Sequence, residues 1–250
     1  MPRLLLASLA TAIAASSFST SALSDTLGFR VGGYSWQQDY SGEVQTDNDL
    51  QIDINDDLGL DDESGNTLFV SLEHPIPVLP NVLIQHTELD VEENNILTRE
   101  ITFSGVTYAV SDEVNSDIDL SHTDATLYYE VLDNWIHVDF GLTVRQFDGG
   151  VNISSSTDAS EEEIEEIIPM LYLAARVELP LTGFYVGASA NGISAGDATL
   201  TDLQVNVGYE TDIGLGIEAG FRDFTLDYED DGDEADISVD GAYIGIFYHF

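Results

Sequence analysis

Apolar and polar side chains alternate with period two through most of this chain, and helical spacing is nearly absent. From Trp135 to Arg145, Ile136, Val138, Phe140, Leu142 and Val144 share one face; His137, Asp139, Gly141, Thr143 and Arg145 share the other. The C-terminus repeats the pattern, with Ala242, Ile244, Ile246, Tyr248 and Phe250 set against Tyr243, Gly245, Phe247 and His249. Further apolar stripes run Leu171 to Leu179, Leu203 to Tyr209 and Leu215 to Phe221. Shorter alternations lie at 27–32, 68–73, 125–131 and 183–193. The stretch 82–91 has no clean phase and is read as a strand from its neighbours. Together these segments predict about ten strands.

The connections carry a second pattern. Short turns fall at 74–81, 132–134, 180–183 and 211–214, and between them sit longer polar segments near 38–66, 92–119, 148–168, 194–199 and 229–236. Tight turns on one rim and extended loops on the other are the habit of outer-membrane barrels, and a soluble sandwich has no reason to sort its loops this way. Within the loops, Ser160 followed by Glu163, with Ile164, Ile167 and Ile168 on one side and Pro169 as a stop, reads as a capped helix over 160–168.

Alternation is neutral about which face points inward; charge placement is not. The polar faces carry Arg30, Glu73, Glu130, His137, Asp139, Arg145, Arg176, Glu178, Glu218 and Arg222 in mid-strand. A barrel lumen accommodates such residues as a network, because each buried carboxylate needs a positive or hydrogen-bonding partner. The same faces are rich in glycine, which leaves room for Tyr34, Tyr128, Tyr172 and Tyr185 in a narrow interior. The predicted fold is therefore an all-β, closed, antiparallel up-and-down transmembrane barrel of about ten strands. Eight is the alternative, if two weak segments form an extracellular hairpin. A barrel this narrow is filled by its own side chains.

Composition sharpens the setting. Met1 and Arg3 precede an uncharged apolar stretch from Leu4 to Ala15, and Ala22 and Ser24 precede a plausible cut before Asp25. Residues 1–24 read as a cleaved secretory signal, with cleavage after Ala22 nearly as good, and residues 25–250 as the barrel. The 47 acidic residues against 6 basic ones, none of them lysine, give a formal net charge of −41. Such a field repels nucleic acid, and no cluster of arginines suited to phosphate is present. No cysteine exists to make disulfides or thiolate metal sites.

Three segments carry a resemblance: Leu72 to Asn81, Asp119 to Trp135, and Tyr248-His249-Phe250. With them the chain resembles, over its whole length, a family of uncharacterised proteobacterial outer-membrane β-barrel proteins. The resemblance implies location and fold and transfers no catalytic residue. Tyr248 and Phe250 match the terminal aromatic signal of outer-membrane barrels generally, which implies recognition by the barrel assembly machinery.

Candidate chemistry is sparse. The run Asp227-x-Glu229-x-Asp231-Gly232 begins like a calcium loop, but Ser238 stands where the bidentate Glu belongs. No metal site and no cofactor are implied, although acidic loops invite divalent cations and, through them, lipopolysaccharide phosphates and outer-membrane lipids. Ser121 and His122 suggest hydrolysis, yet adjacent strand residues point to opposite faces and are no pair by themselves. His137 and Asp139 share a face and read as part of a polar lumen rather than a catalytic couple. The expected function is a non-enzymatic barrel with a charged, largely plugged lumen and a structural or surface-interaction role. A narrow channel or ligand-binding barrel is the alternative, and a lipid-modifying enzyme a weaker third.

Overall fold

A computed structural model describes residues 27–47, 49–76 and 78–250; the leader at 1–24 lies outside the described residues. The strands begin with β1 (Gly28–Gln45), β2 (Ile52–Asp53), β3 (Asp62–Glu73), β4 (Asn81–Thr87), β5 (Asp90–Ile96) and β6 (Ile101–Phe103). They continue with β7 (Val106–Tyr108), β8 (Glu113–Asp119), β9 (His122–Asp133), β10 (Ile136–Phe147), β11 (Gly149–Ser154) and β12 (Ala159–Ile164). The last are β13 (Ile167–Glu178), β14 (Phe184–Ala195), β15 (Ala198–Glu210), β16 (Leu215–Asp230) and β17 (Asp233–His249).

The main sheet runs β17-β16-β15-β14-β13-β10-β9-β4-β3-β1, with β2 a two-residue appendage on β1. Pairing of β17 with β1 closes it, so the described residues form a ten-stranded antiparallel barrel rather than an eight-stranded one. The wall then continues beyond the lipid. Strands β5, β8, β11 and β12 prolong β4, β9, β10 and β13 and keep the same neighbour order. The segments expected as long polar loops are therefore largely sheet, tipped by the small β6–β7 hairpin.

The polarity of the wall inverts along its height without any change of phase. In β1, Phe29 and Val31 point outward and are exposed; higher up, the same face carries Ser35, Gln37, Asp39 and Ser41. The inward face switches the other way, from Arg30 near the short turns to Trp36, Tyr40 and Val44, all buried. In β17, Ala242, Ile244 and Ile246 face out near the short turns, whereas Ile237 and Val239 face in near the long ones. Where hydrocarbon surrounds the wall, the outer face must be apolar; where water surrounds it, the apolar side chains turn in to make a core. That outer core gathers Ile52, Ile54, Leu58 and Leu60 from the segment after β1. Ile118, Ile153, Ile101 and Tyr108 reach it from the outer sheet and hairpin. Arg99 ties the hairpin arm to this segment, its Nε donating to Asp57 Oδ1 at 2.8 Å.

The helix expected over 160–168 does not form. Residues 159–164 are strand β12, paired from Gly149↔Ile164 to Ser154↔Ala159. Ser160 is buried, sharing a 2.7 Å hydrogen bond with the Tyr108 hydroxyl instead of capping a helix. A ready partner strand outweighs a local capping pattern. Pro169 lies within β13, opposite Val144, at a height where pairing to β14 has already ended at Leu171↔Gly192. There its missing N–H costs little.

Candidate functional site

The lumen reads as layers, because inward residues along each strand fall in order from the short turns to the long ones. Down β10 from the top come Phe147, Arg145, Thr143, Gly141, Asp139 and His137; down β9 come His122, Asp124, Thr126, Tyr128 and Glu130. Strand β16 offers Phe224, Arg222, Gly220 and Glu218 in the same order.

Directly beneath the apolar core lies an ionic layer. Arg145 and Arg222 have no solvent exposure, and Asp124 and Asp202 are 2% exposed. Arg145 Nε and Nη2 donate to the two oxygens of Asp124 at 2.8 and 2.7 Å, a bidentate fork. Asp202 bridges the arginines, accepting from Arg222 Nε at 2.8 Å and from Nη2 of Arg222 and of Arg145 at 2.6 Å each. Arg222 Nη1 reaches the hydroxyls of Tyr34 and Thr87 at 3.1 Å, and Nη2 faces His122 Nε2 at 3.4 Å. The Arg222 guanidinium also lies over the Trp36 ring, 4.7 Å from its centroid, which places the ions against the apolar core. Below them Thr126, Thr143 and Asn191 form a hydroxyl and amide chain at 2.8 and 2.6 Å.

The next layer is aromatic. Rings occupy the space that inward glycines leave: a Cβ on Gly216 would stand 2.0 Å from Phe247 Cζ, and one on Gly208 2.2 Å from Tyr185 Cζ. Arg30 stacks on Phe247 at 3.8 Å and donates to Glu218 at 3.2 Å; Tyr185 donates to the same carboxylate at 2.9 Å.

Toward the short turns the lumen widens into a vestibule of about 1340 Å³ that opens at that rim. Its walls include Glu73, Glu130, Asp133, Asp139, Arg176, Glu178, Glu210 and His249. Arg176 bridges Glu178 and Glu210 at 3.2 Å each, and Tyr128 donates to Glu73 at 3.0 Å.

All ten residues expected in a lumen charge network lie on the inward face, but at two levels. Arg145 and Arg222 belong to the buried ionic layer, while Arg30, Glu73, Glu130, His137, Asp139, Arg176, Glu178 and Glu218 line the aromatic layer and vestibule. His137 and Asp139 do not bond each other; His137 faces Asp133 and Glu178 instead. Ser121 and His122 do not pair either, since Ser121 Oγ accepts from Leu89 N at 3.0 Å and His122 is buried beside Arg222. The terminal aromatics stand on the outer face, with the Phe250 ring edge-on to Tyr248 at 4.5 Å and tilted against Phe29 at 5.4 Å between centroids.

Sequence reasoning left Asp124 and Asp202, the acids that hold the two buried arginines, out of the lumen charge network, and took Asp124 only as an acid near Ser121 and His122. Both were in phase, two residues before Thr126 and Gln204 on the polar faces of their stripes. His122, Asp124 and Asp202 also lie close enough to hold an ion, but every oxygen of the two carboxylates already accepts a guanidinium N–H. A metal there would have to displace two arginines.

No protein-family model matches the chain, and no curated protein matches it. Among solved structures, the outer membrane protease OmpT from Escherichia coli aligns with a TM-score of 0.51 at 11% identity, over 94% of this chain and 100% of that one. The translocator domain of the autotransporter NalP from Neisseria meningitidis aligns at 0.43 and 11% identity, over 89% and 88% of the two chains. The β domain of a Bordetella autotransporter gives 0.42 and 15% identity, over 90% and 100%. At these identities the likeness is one of fold. The chain has the fold of an outer-membrane β-barrel, and its closed wall and outward apolar band are those of a membrane-spanning barrel.

Proposed function

We propose that this barrel is non-enzymatic and occluded, with a structural and surface-interaction role at the cell envelope. One observation carries the reading: a fully buried arginine–aspartate layer crosses the lumen directly beneath a continuous apolar core. Solvated ions meet no aqueous path through such a stack, and unpairing either guanidinium costs several kcal/mol. No group arranged as a nucleophile and base supports catalysis among the described residues. The sole serine–histidine neighbours, Ser121 and His122, are each engaged elsewhere.

The outward face of the outer sheet supports the interaction role. Asp90 stands opposite Asp119 and Glu92 opposite Asp117, with Glu161 and Glu163 two strands further along. In this reading, divalent cations bridge these carboxylates to lipopolysaccharide phosphates, and the barrel assembly machinery reads Tyr248 and Phe250 during insertion.

The test is conductance. The reconstituted barrel is expected to give no current steps in a planar bilayer, while Arg145→Ala, which removes one bridge of the ionic layer, is expected to introduce them. Steps from the unaltered barrel would overturn the occluded reading. A lipid A mass that changes with expression of the protein would overturn the non-enzymatic one.

A further inference from the structure

We infer that Glu130, Asp133 and His137 form a binding site for a divalent transition-metal ion of the zinc class at the periplasmic mouth of the lumen. Ligand atoms of these three side chains all lie within 4.8 Å of one another. The cause is visible in the backbone. Strand pairing across the β9–β10 hairpin sets Asp133 opposite His137 and Glu130 opposite Asp139, and a β-bulge falls between the two pairs. In a regular strand, residues 130 and 133 would point to opposite faces. The bulge takes up one residue and turns both inward.

Two features distinguish the cluster from a patch of exposed acids. First, it contains an imidazole, and mixed nitrogen and oxygen donors select borderline metals over calcium or magnesium. His137 Nδ1 lies 3.4 Å from Asp133 Oδ1, too long for a good hydrogen bond. It matches the ligand-to-ligand edge, about 3.4 Å, of a tetrahedron with bonds of about 2.1 Å. Second, the other ring nitrogen is placed as it is in metal-bound histidines, which present that N–H to a carboxylate. His137 Nε2 is shielded from solvent, has no hydrogen-bond partner among the described residues, and faces Glu178 Oε1 at 3.6 Å. Arg176 in turn holds that same Glu178 oxygen at 3.2 Å. Three protein ligands leave a position open to water or to a solute in the vestibule.

No arginine reaches Glu130 or Asp133 among the described residues; Arg30 and Arg176 are taken up by Glu218, Glu178 and Glu210. Asp139, beside them, keeps an Oδ1 that is shielded and without a partner. A dication supplies the charge this corner lacks. With Asp133 69% exposed and His137 25%, an ion from the periplasm can enter without opening the barrel.

The experiment is a calorimetric titration of Zn²⁺ into the folded full-length barrel in detergent at neutral pH. One saturable site is expected. His137→Ala and Asp133→Asn should each weaken it tenfold or more, and Glu178→Gln, which removes the partner behind the imidazole, about tenfold. Glu100→Gln, at an exposed acid given no binding role, should leave it unchanged, and Ca²⁺ at equal concentration should not compete. Because Asp133 is largely exposed, its variant tests the site even if His137→Ala misfolds. Absence of a saturable site would overturn the inference, as would binding that survives both His137→Ala and Asp133→Asn or falls equally in Glu100→Gln.

Discussion

Asp202→Asn is the most informative single change in the lumen. The buried layer holds two guanidiniums, Arg145 and Arg222, against two carboxylates, Asp124 and Asp202, so it is electrically balanced. Asparagine has nearly the same shape as aspartate, so packing changes little, but the layer keeps one uncompensated positive charge at a site 2% exposed. Asp202 accepts three hydrogen bonds, at 2.8, 2.6 and 2.6 Å. If the amide oxygen takes the place of Oδ2, the two shorter bonds survive and the amide nitrogen confronts Arg222 Nε, donor against donor. Breaking one side of a buried pair costs about 3–5 kcal/mol; with two bonds retained, the lower end, about 3 kcal/mol, is expected. That is roughly a hundredfold in the folded-to-unfolded ratio.

Urea unfolding in lipid vesicles provides the assay, read by the fluorescence of Trp36, which lies under the Arg222 guanidinium. A double change, Asp202→Leu with Arg222→Met, removes one charge of each sign and leaves the Arg145–Asp124 fork intact. It should be less destabilised than Asp202→Asn, because an apolar replacement of a buried pair is often near neutral. A loss below about 1 kcal/mol for Asp202→Asn would refute this account of the layer, as would a double variant worse than the single.

Two further outcomes follow from the rim and the outer sheet. Gly214 holds φ +82° in the 211–214 turn, where an added Cβ would stand 2.0 Å from His249 O, so Gly214→Ala should cost about 1–3 kcal/mol in the same urea assay. An unchanged midpoint would mean that the turn adapts freely. On the outer sheet, partial burial and the facing carboxylates Asp119 and Glu88 raise the Asp90 carboxyl; burial and Glu92 raise Asp117. A carboxyl whose folded pKa exceeds its unfolded value weakens the fold at neutral pH, and that penalty fades as pH falls through the raised folded value toward 3.8. Hydrogen-exchange protection of β5 and β8 should therefore rise on mild acidification, less so in Asp117→Asn, and protection that falls would contradict the sign.

Much of the barrel was legible because hydrocarbon enforces one rule over its whole thickness: apolar side chains outward, in every second place. The stripes at 135–145, 171–179 and 242–250 obey it and became strands. Where the wall rises out of the lipid the rule reverses, and Trp36, Tyr40 and Val44 turn in while Asp39 and Ser41 turn out. A reader following one phase loses the strand there, so β1, β16 and β17 ran several residues longer than their patterns and the outer sheet read as loops. The cluster at Glu130, Asp133 and His137 was hidden for a different reason. Its residues share a face only because of the register shift at Val138/Asp139, and the one trace that shift leaves in the sequence is the adjacent apolar pair Val131-Leu132, both exposed.

A buried ionic layer is weak evidence for stability, since an apolar filling of equal volume would hold the barrel as well. Its composition argues for a different role. Tyr34, Thr67, Thr87, His122, Asp124, Arg145, Asp202 and Arg222 come from seven strands, β1, β3, β4, β9, β10, β15 and β16, and converge on two guanidiniums. Aliphatic side chains pack acceptably in several registers, whereas a guanidinium with fixed donors is satisfied in few. Slipping any one of these strands by a residue carries its contribution to the lipid face and leaves a buried charge or hydroxyl unmatched. In a closed barrel the registers are coupled around the ring, so one layer that tolerates no slip constrains the stagger of the whole wall. The ions lie where that constraint is most needed, at the level where the outer face changes from apolar to polar and the lipid ceases to enforce the phase.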